Sequence, residues 1–191
     1  MYEIAIVGGG PAGASAAIFT AKAGVRTLLV DNGRSVTRRA WIKNHYGLPE
    51  ITGPELVDRG KQQAAALGAD VVTADVRDIR RDGEGFVLET DAGTFTARRV
   101  ILATGPSTDL AERIGVHLVP GREPRIRMVA AVDPDGRTNI EGIWACGTVA
   151  GVSVHTIVTS GDGARVAINV LSEMNGARYV DHDVLPRDAA T

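Results

Sequence analysis

Along the first thirty residues the apolar positions change period twice. Ile4-Ala5-Ile6-Val7 is an unbroken apolar run of the length of a buried strand. Gly8-Gly9-Gly10 interrupts it, and small apolar residues then continue at helical spacing from Pro11 to Ala23. Gly24 stops that helix, and Arg26–Val30 forms a second apolar run that ends in Asp31. Residues 31–53 lose the pattern and are loop-rich, carrying Trp41, Asn44, His45, Tyr46, Gly47 and Pro49. A second helix is predicted from near Pro54 to Gly68, with proline in its first turn. Val71–Val76 and Ile79–Arg81 read as extended. Gly85–Thr90 and Thr94–Ala97 form a hairpin across Asp91-Ala92-Gly93.

Further along, Arg99–Ala103 reads as a buried strand closing on Thr104-Gly105-Pro106. Residues 106–140 are the least regular, with a short amphipathic piece at Leu110–Ile114. Ile143–Ala145 is another apolar strand, and a last helix runs from His155 or Thr156 to Met174. The expected fold is a single α/β domain of Rossmann-like type over residues 1–180. It has a central parallel sheet, helices, and a small antiparallel β-meander between about 77 and 99. From Asp181 the chain is polar, and residues 181–191 read as a frayed tail.

Composition narrows the classes. The chain has 191 residues, enough for one domain, and 44% of them are hydrophobic. The net charge of -2 offers no general attraction to nucleic acid or to an anionic membrane. Basic clusters at Arg34, Arg38, Arg39 and Lys43, and at Arg122, Arg125 and Arg127, read as solvated loops balanced by acids elsewhere. The first apolar run is too short for the core of a signal peptide, and no stretch approaches the roughly 18 apolar residues of a membrane span. A cytoplasmic protein is expected. The single cysteine, Cys146, excludes an intrachain disulfide and a CxxC redox pair.

Gly8, Gly10 and Gly13 make a G-x-G-x-x-G turn between a predicted strand and a predicted helix. The first glycine allows the tight turn, the second lets backbone approach a pyrophosphate, and the third lets helix and strand pack closely. The helix N-terminus offers free N–H groups to the phosphates, and Asp31 can accept from an adenosine ribose. Asp31 disfavours a ribose 2′-phosphate, with Arg34 and Arg38 nearby as a countersign. The dinucleotide is NAD or FAD, and this stretch alone does not separate them.

Two later motifs bear on that choice. Arg99-Val100-Ile101-Leu102-Ala103-Thr104-Gly105 resembles the ATG strand of two-dinucleotide flavoproteins, and Gly142-Ile143-Trp144-Ala145-Cys146-Gly147-Thr148 resembles their second FAD motif. With Asn44-His45-Tyr46-Gly47, Gly53-Pro54-Glu55-Leu56, Gly68-Ala69-Asp70-Val71 and Ser160-Gly161-Asp162-Gly163-Ala164, the order of motifs is similar to the low-molecular-weight thioredoxin reductases. These belong to the pyridine nucleotide–disulfide oxidoreductases. The resemblance covers residues 1–105 and 136–174 and implies bound FAD. It implies that Gly8, Gly10, Pro11, Ala12 and Gly13 cradle the pyrophosphate and that Asp31 and Asn32 meet the adenosine ribose. It also implies that Val76 meets the adenine through its main chain, and that Asn44 contacts the flavin. Ala103, Thr104, Gly105, Gly147 and Thr148 belong to the same implied site, and the backbones of His155 and Thr156 would face the flavin.

Three departures from the resembled family shape the expected function. Only residues 106–141 stand where the family inserts a nicotinamide-binding domain, with no second G-x-G-x-x-G, and one βαβ unit alone needs about 30 residues. The CxxC pair is missing, which excludes a dithiol relay. The aspartate that closes the second FAD motif in the family is Thr148 here. The expectation is therefore a minimal FAD-dependent oxidoreductase whose flavin is reduced by transient NADH or NADPH, or by an electron-donor protein. The alternative is a non-catalytic FAD-binding or redox-sensing module that works through a partner.

A homodimer is expected from the surface the absent domain would have covered. His45 and His155, with Asn44, are the candidates for groups acting near the flavin, although packing explains His45 and Tyr46 equally well. Trp41 reads as a cover for the flavin, a partner surface or loop packing. Cys146 reads as a small buried residue rather than a peroxide-sensitive thiol. Asp181-His182-Asp183 has metal-ligand residue types, but consecutive residues point to opposite faces, so no metal is expected.

Overall fold

The computed structural model describes residues 1–185. The part of the predicted tail at 186–191 lies outside the described residues. Five strands run parallel: β1 (Tyr2–Val7), β2 (Thr27–Asp31), β5 (Asp70–Thr73), the second half of β8 (Gly93–Leu102) and β11 (Ile143–Ala145). Their order is β5-β2-β1-β8-β11, with Ile6 opposite Leu29 on one side and Ile101 on the other. The first half of β8 pairs antiparallel with β7 (Gly85–Thr90), and β7 with β6 (Val76–Asp82), giving the expected meander.

Alternation along β1 divides the core in two. Ile4 and Ile6 face α1 (Pro11–Lys22) and α4 (Thr156–Asn175), where they pack with Leu29, Ile101, Trp144 and Val166. Ala5 and Val7 face the other way, into a cluster with Leu28, Val30, Leu88, Val100 and Leu102. These large side chains are fully or almost fully buried, and each stabilises the fold by roughly 1.5–3 kcal/mol relative to exposure. α1 is lined by Ala12, Ala16 and Ala17, whose small side chains let it approach α4 closely.

α2 (Gly53–Ala66) covers the remaining edge of that face. Its Thr52 hydroxyl accepts from the Glu55 N–H, a side-chain cap that sets where the helix starts. Two expectations need correction. The extended run at 71–76 breaks at Ala74-Asp75, because β5 stays on the parallel sheet while β6 leaves it for the meander. The hairpin strand and the ATG strand, separated in the sequence reading, are one ten-residue strand, β8. The loop-rich residues 31–53 hold a 3-10 turn at Val36–Arg39 and the short pair β3 (Trp41–Ile42) and β4 (Ile51–Thr52). At the start of the polar tail, Lys22 Nζ is bonded to the carboxylates of both Asp181 and Asp183.

Residues 106–141 form α3 (Asp109–Arg113) and a small antiparallel pair, β9 (Leu118–Pro120) with β10 (Met128–Ala130). Leu110, Ala111, Val116 and Ala130 bury their side chains in the second core cluster. This segment is thus part of the sheet's packing. Among the described residues no helix is long and apolar enough to cross a membrane.

Candidate functional site

β1 and β8 end side by side, and the chain turns away from the sheet at both ends. Ala103 N–H donates to the Val7 carbonyl and Gly8 N–H to the Val30 carbonyl, each at 2.8 Å, so the ladder carries on into the turn. Gly8 has φ +108°, and a Cβ there would lie 2.3 Å from the Ala103 carbonyl oxygen. Only glycine allows these two loops to approach so closely.

Above this crossing lies a cleft of about 1180 Å³. The glycine turn forms its floor from Gly8 to Ala12, with Ala103, Thr104 and Gly105 beside it. At one end stand Asp31, Asn32 and Val76, and at the other Cys146, Thr148 and Val154. α1 begins at the floor with Gly10 as its N-cap. It has no side-chain cap and no acid in its first turn. The N–H groups of the first turn therefore meet no capping side chain and suit a phosphate. The uncapped helix start and the carboxylate at one side are the donor and acceptor groups that an FAD would need.

The remaining predicted residues lie outside the cleft wall. Gly13 and Gly147 sit behind it, where they bring α1 against β1 and the 3-10 turn Gly147–Ala150 against α1. His45, Thr156 and His155 flank the Val154 end. His45 Nδ1 is 3.0 Å from Thr156 Oγ1, which fastens the 43–50 loop to the start of α4, and His155 Nδ1 is 2.8 Å from Ser153 Oγ. Burial holds the His45 imidazole below its ordinary pKa, favouring the neutral ring. Asn44 is exposed and does not line the cleft. Trp41 is also exposed, with its Nε1 donating to Glu50 and Lys43 over its ring. It packs within its own loop and does not cover the cleft.

Several site residues escaped the sequence reading. Arg77 and Arg113 line the cleft from β6 and α3, and Arg125, read above as part of a solvated basic cluster, lines it from the turn before β10. No pattern marks them, because three distant segments bring them together. Asp162 is buried on α4, and its Oδ2 accepts from the Gly147 N–H at 2.7 Å while Arg165 binds its Oδ1. Of the residues already singled out in the sequence, Asn32 and Arg34 both reach Asp75, joining the end of β2 to the start of the meander.

Cys146 is fully buried beneath the cleft, and burial pushes its thiol far above its usual pKa. We expect no reaction with a thiol reagent such as DTNB in the folded protein and one equivalent on unfolding. Rapid labelling of the native chain would contradict this assignment.

The fold and cleft define a Rossmann-like domain of the FAD/NAD(P)-binding type. The pyridine nucleotide-disulphide oxidoreductase family matches in two overlapping stretches, residues 2–105 and 47–168, and the chain belongs to that family. It is 33% identical over 126 residues to the thioredoxin reductase of Peptoclostridium acidaminophilum and 37% identical over 115 residues to that of Peptoclostridium litorale. Those matches span 64% and 58% of this chain but only 40% and 36% of the relatives' own length. The fold is also that of the atypical thioredoxin reductase TRi from Desulfovibrio vulgaris Hildenborough, with TM-score 0.81 at 21% identity, covering 92% of this chain and 99% of that one.

Proposed function

We propose that the chain is a minimal FAD-dependent oxidoreductase, its flavin reduced by free NADH or NADPH or by an external donor, and that it does not work through a dithiol. The observation that carries this reading is one continuous cleft built on one glycine turn. The segment 106–141 spends its length on α3 and the β9–β10 pair, which leaves no second nucleotide fold. The only thiol, Cys146, is buried.

When bound, FAD supplies the hydride and electron chemistry. The chain's part is to bind and orient. The start of α1 holds the pyrophosphate, Asp31 and Asn32 hold the ribose, and Thr148 offers a hydroxyl where relatives of the resembled type carry aspartate. The start of α4 brings a positive dipole end to the flavin end of the cleft.

A second reading is an FAD-binding redox module that docks on a protein donor, acceptor or second copy. It is favoured by Val154, Ile157 and Val158, which are exposed at the same end of the molecule. One experiment separates the two. The purified protein is expected to show a flavin spectrum that bleaches rapidly on anaerobic addition of NADH or NADPH. A flavin that stays oxidised with both would favour the docking module. A colourless chain that cannot be reconstituted with FAD would overturn both readings.

A further inference from the structure

The carboxylate at the end of β2 already has two partners. The Asp31 side chain is only 5% exposed. Its Oδ1 accepts from the Gly9 N–H at 3.1 Å, and its Oδ2 accepts from Lys61 Nζ at 3.0 Å. Asp31 and Gly9 both line the cleft, whereas Lys61, from the middle of α2, stands behind them. A second carboxylate, Asp58, lies 3.7 Å from Lys61 Nζ, but Arg38 already binds it at 2.5 Å. The Lys61 charge is therefore left chiefly for Asp31.

A carboxylate has room for about four hydrogen bonds. Gly9 and Lys61 take one on each oxygen, so one acceptor position per oxygen remains. A ribose presents two adjacent O–H donors, which this remainder matches. The peptide N–H and the ammonium, gripping different oxygens, also fix the rotation of the carboxylate about its Cβ–Cγ bond.

We propose that Lys61 is a positioning residue for the adenosine ribose of the bound dinucleotide, acting through Asp31. The proposal rests on the reading of the cleft as an FAD site. Lys61 never touches the nucleotide, and it sets how the acceptor is presented. Its influence is confined to ligands that carry the adenosine half.

The test is equilibrium binding of FAD, ADP and FMN to the apoprotein, for the wild type and for K61M, K61R, D31N and the D31N/K61M double variant. K61M is expected to weaken FAD and ADP by about tenfold or more, comparable to one lost charge-assisted hydrogen bond, and to leave FMN unchanged. K61R should recover most of the loss. The double variant should bind FAD no more weakly than D31N. It removes both charges together, so it avoids the lone buried charge that could prevent K61M from folding. Wild-type FAD affinity in K61M, equal losses for FMN and FAD, or additive losses in the double variant would overturn the role of Lys61 alone. A wild-type chain that takes up no FAD overturns the cofactor reading, and this role with it.

Discussion

Gly13→Ala is expected to abolish flavin uptake and to cost the fold about 3 kcal/mol or more, at or beyond the upper end of ordinary overpacking. A Cβ at this position would sit 1.8 Å from the Gly8 carbonyl oxygen and 3.2 Å from the Ala103 side chain. The clashing atom is backbone, held in place by the Gly8 N–H bond to Val30. Relief requires α1 to move away from β1, which takes the helix N-terminus off the floor of the cleft. Typical domains have only about 5–15 kcal/mol of stability, so the loss is a large share. Urea denaturation and flavin absorbance of the purified protein measure the two effects. Gly161→Ala is the control: an added Cβ there meets nothing within 4 Å in an exposed turn of α4. It should be neutral or stabilise by up to about 1 kcal/mol. Equal behaviour of the two variants would contradict the packing account.

That contrast also explains which parts of the molecule the sequence disclosed. The glycine turn, α1 and the apolar strands were legible because each is set by residues within a few positions of one another. β8 was not, because Arg98 and Arg99 interrupt its apolar pattern. The strand persists since Ala97 is shared: it pairs with Phe86 of β7 and with Tyr2 of β1, handing the chain from the meander to the parallel sheet. The contact of Lys22 with the tail was illegible for a similar reason, since Asp181 is 159 positions away. Within the site, Asp31 was legible at the end of a strand, but Lys61 was not, since only the fold brings α2 behind it. The resemblance placed Asn44 at the flavin, yet the residue beside it, His45, is the one that binds the start of α4.

Asp162→Ala is expected to destabilise the protein by roughly 2–4 kcal/mol, the range for breaking a buried charge-assisted bond and stranding its partners. The Asp162 side chain is 6% exposed and that of Arg165 is 40% exposed. The two bonds of this carboxylate therefore differ in worth. The pair with Arg165 is screened on one side and contributes at most about 1 kcal/mol. Arg165 also donates to the Pro134 carbonyl, so it keeps one partner after the change. The Gly147 N–H has no such alternative: Gly147 is buried, and its neighbour Thr148 lines the cleft near Val154. The stranded N–H should loosen that turn and weaken FAD binding along with the fold. Asp162→Asn retains an oxygen for Gly147 while giving up the charge, and Arg165→Ala gives up only the pair. Both are expected to lose less than half as much as Asp162→Ala, read as shifts in urea midpoint at constant slope. If Asp162→Asn instead lost as much as Asp162→Ala, the ion pair with Arg165 would be the dominant interaction, and the account of Gly147 would be wrong.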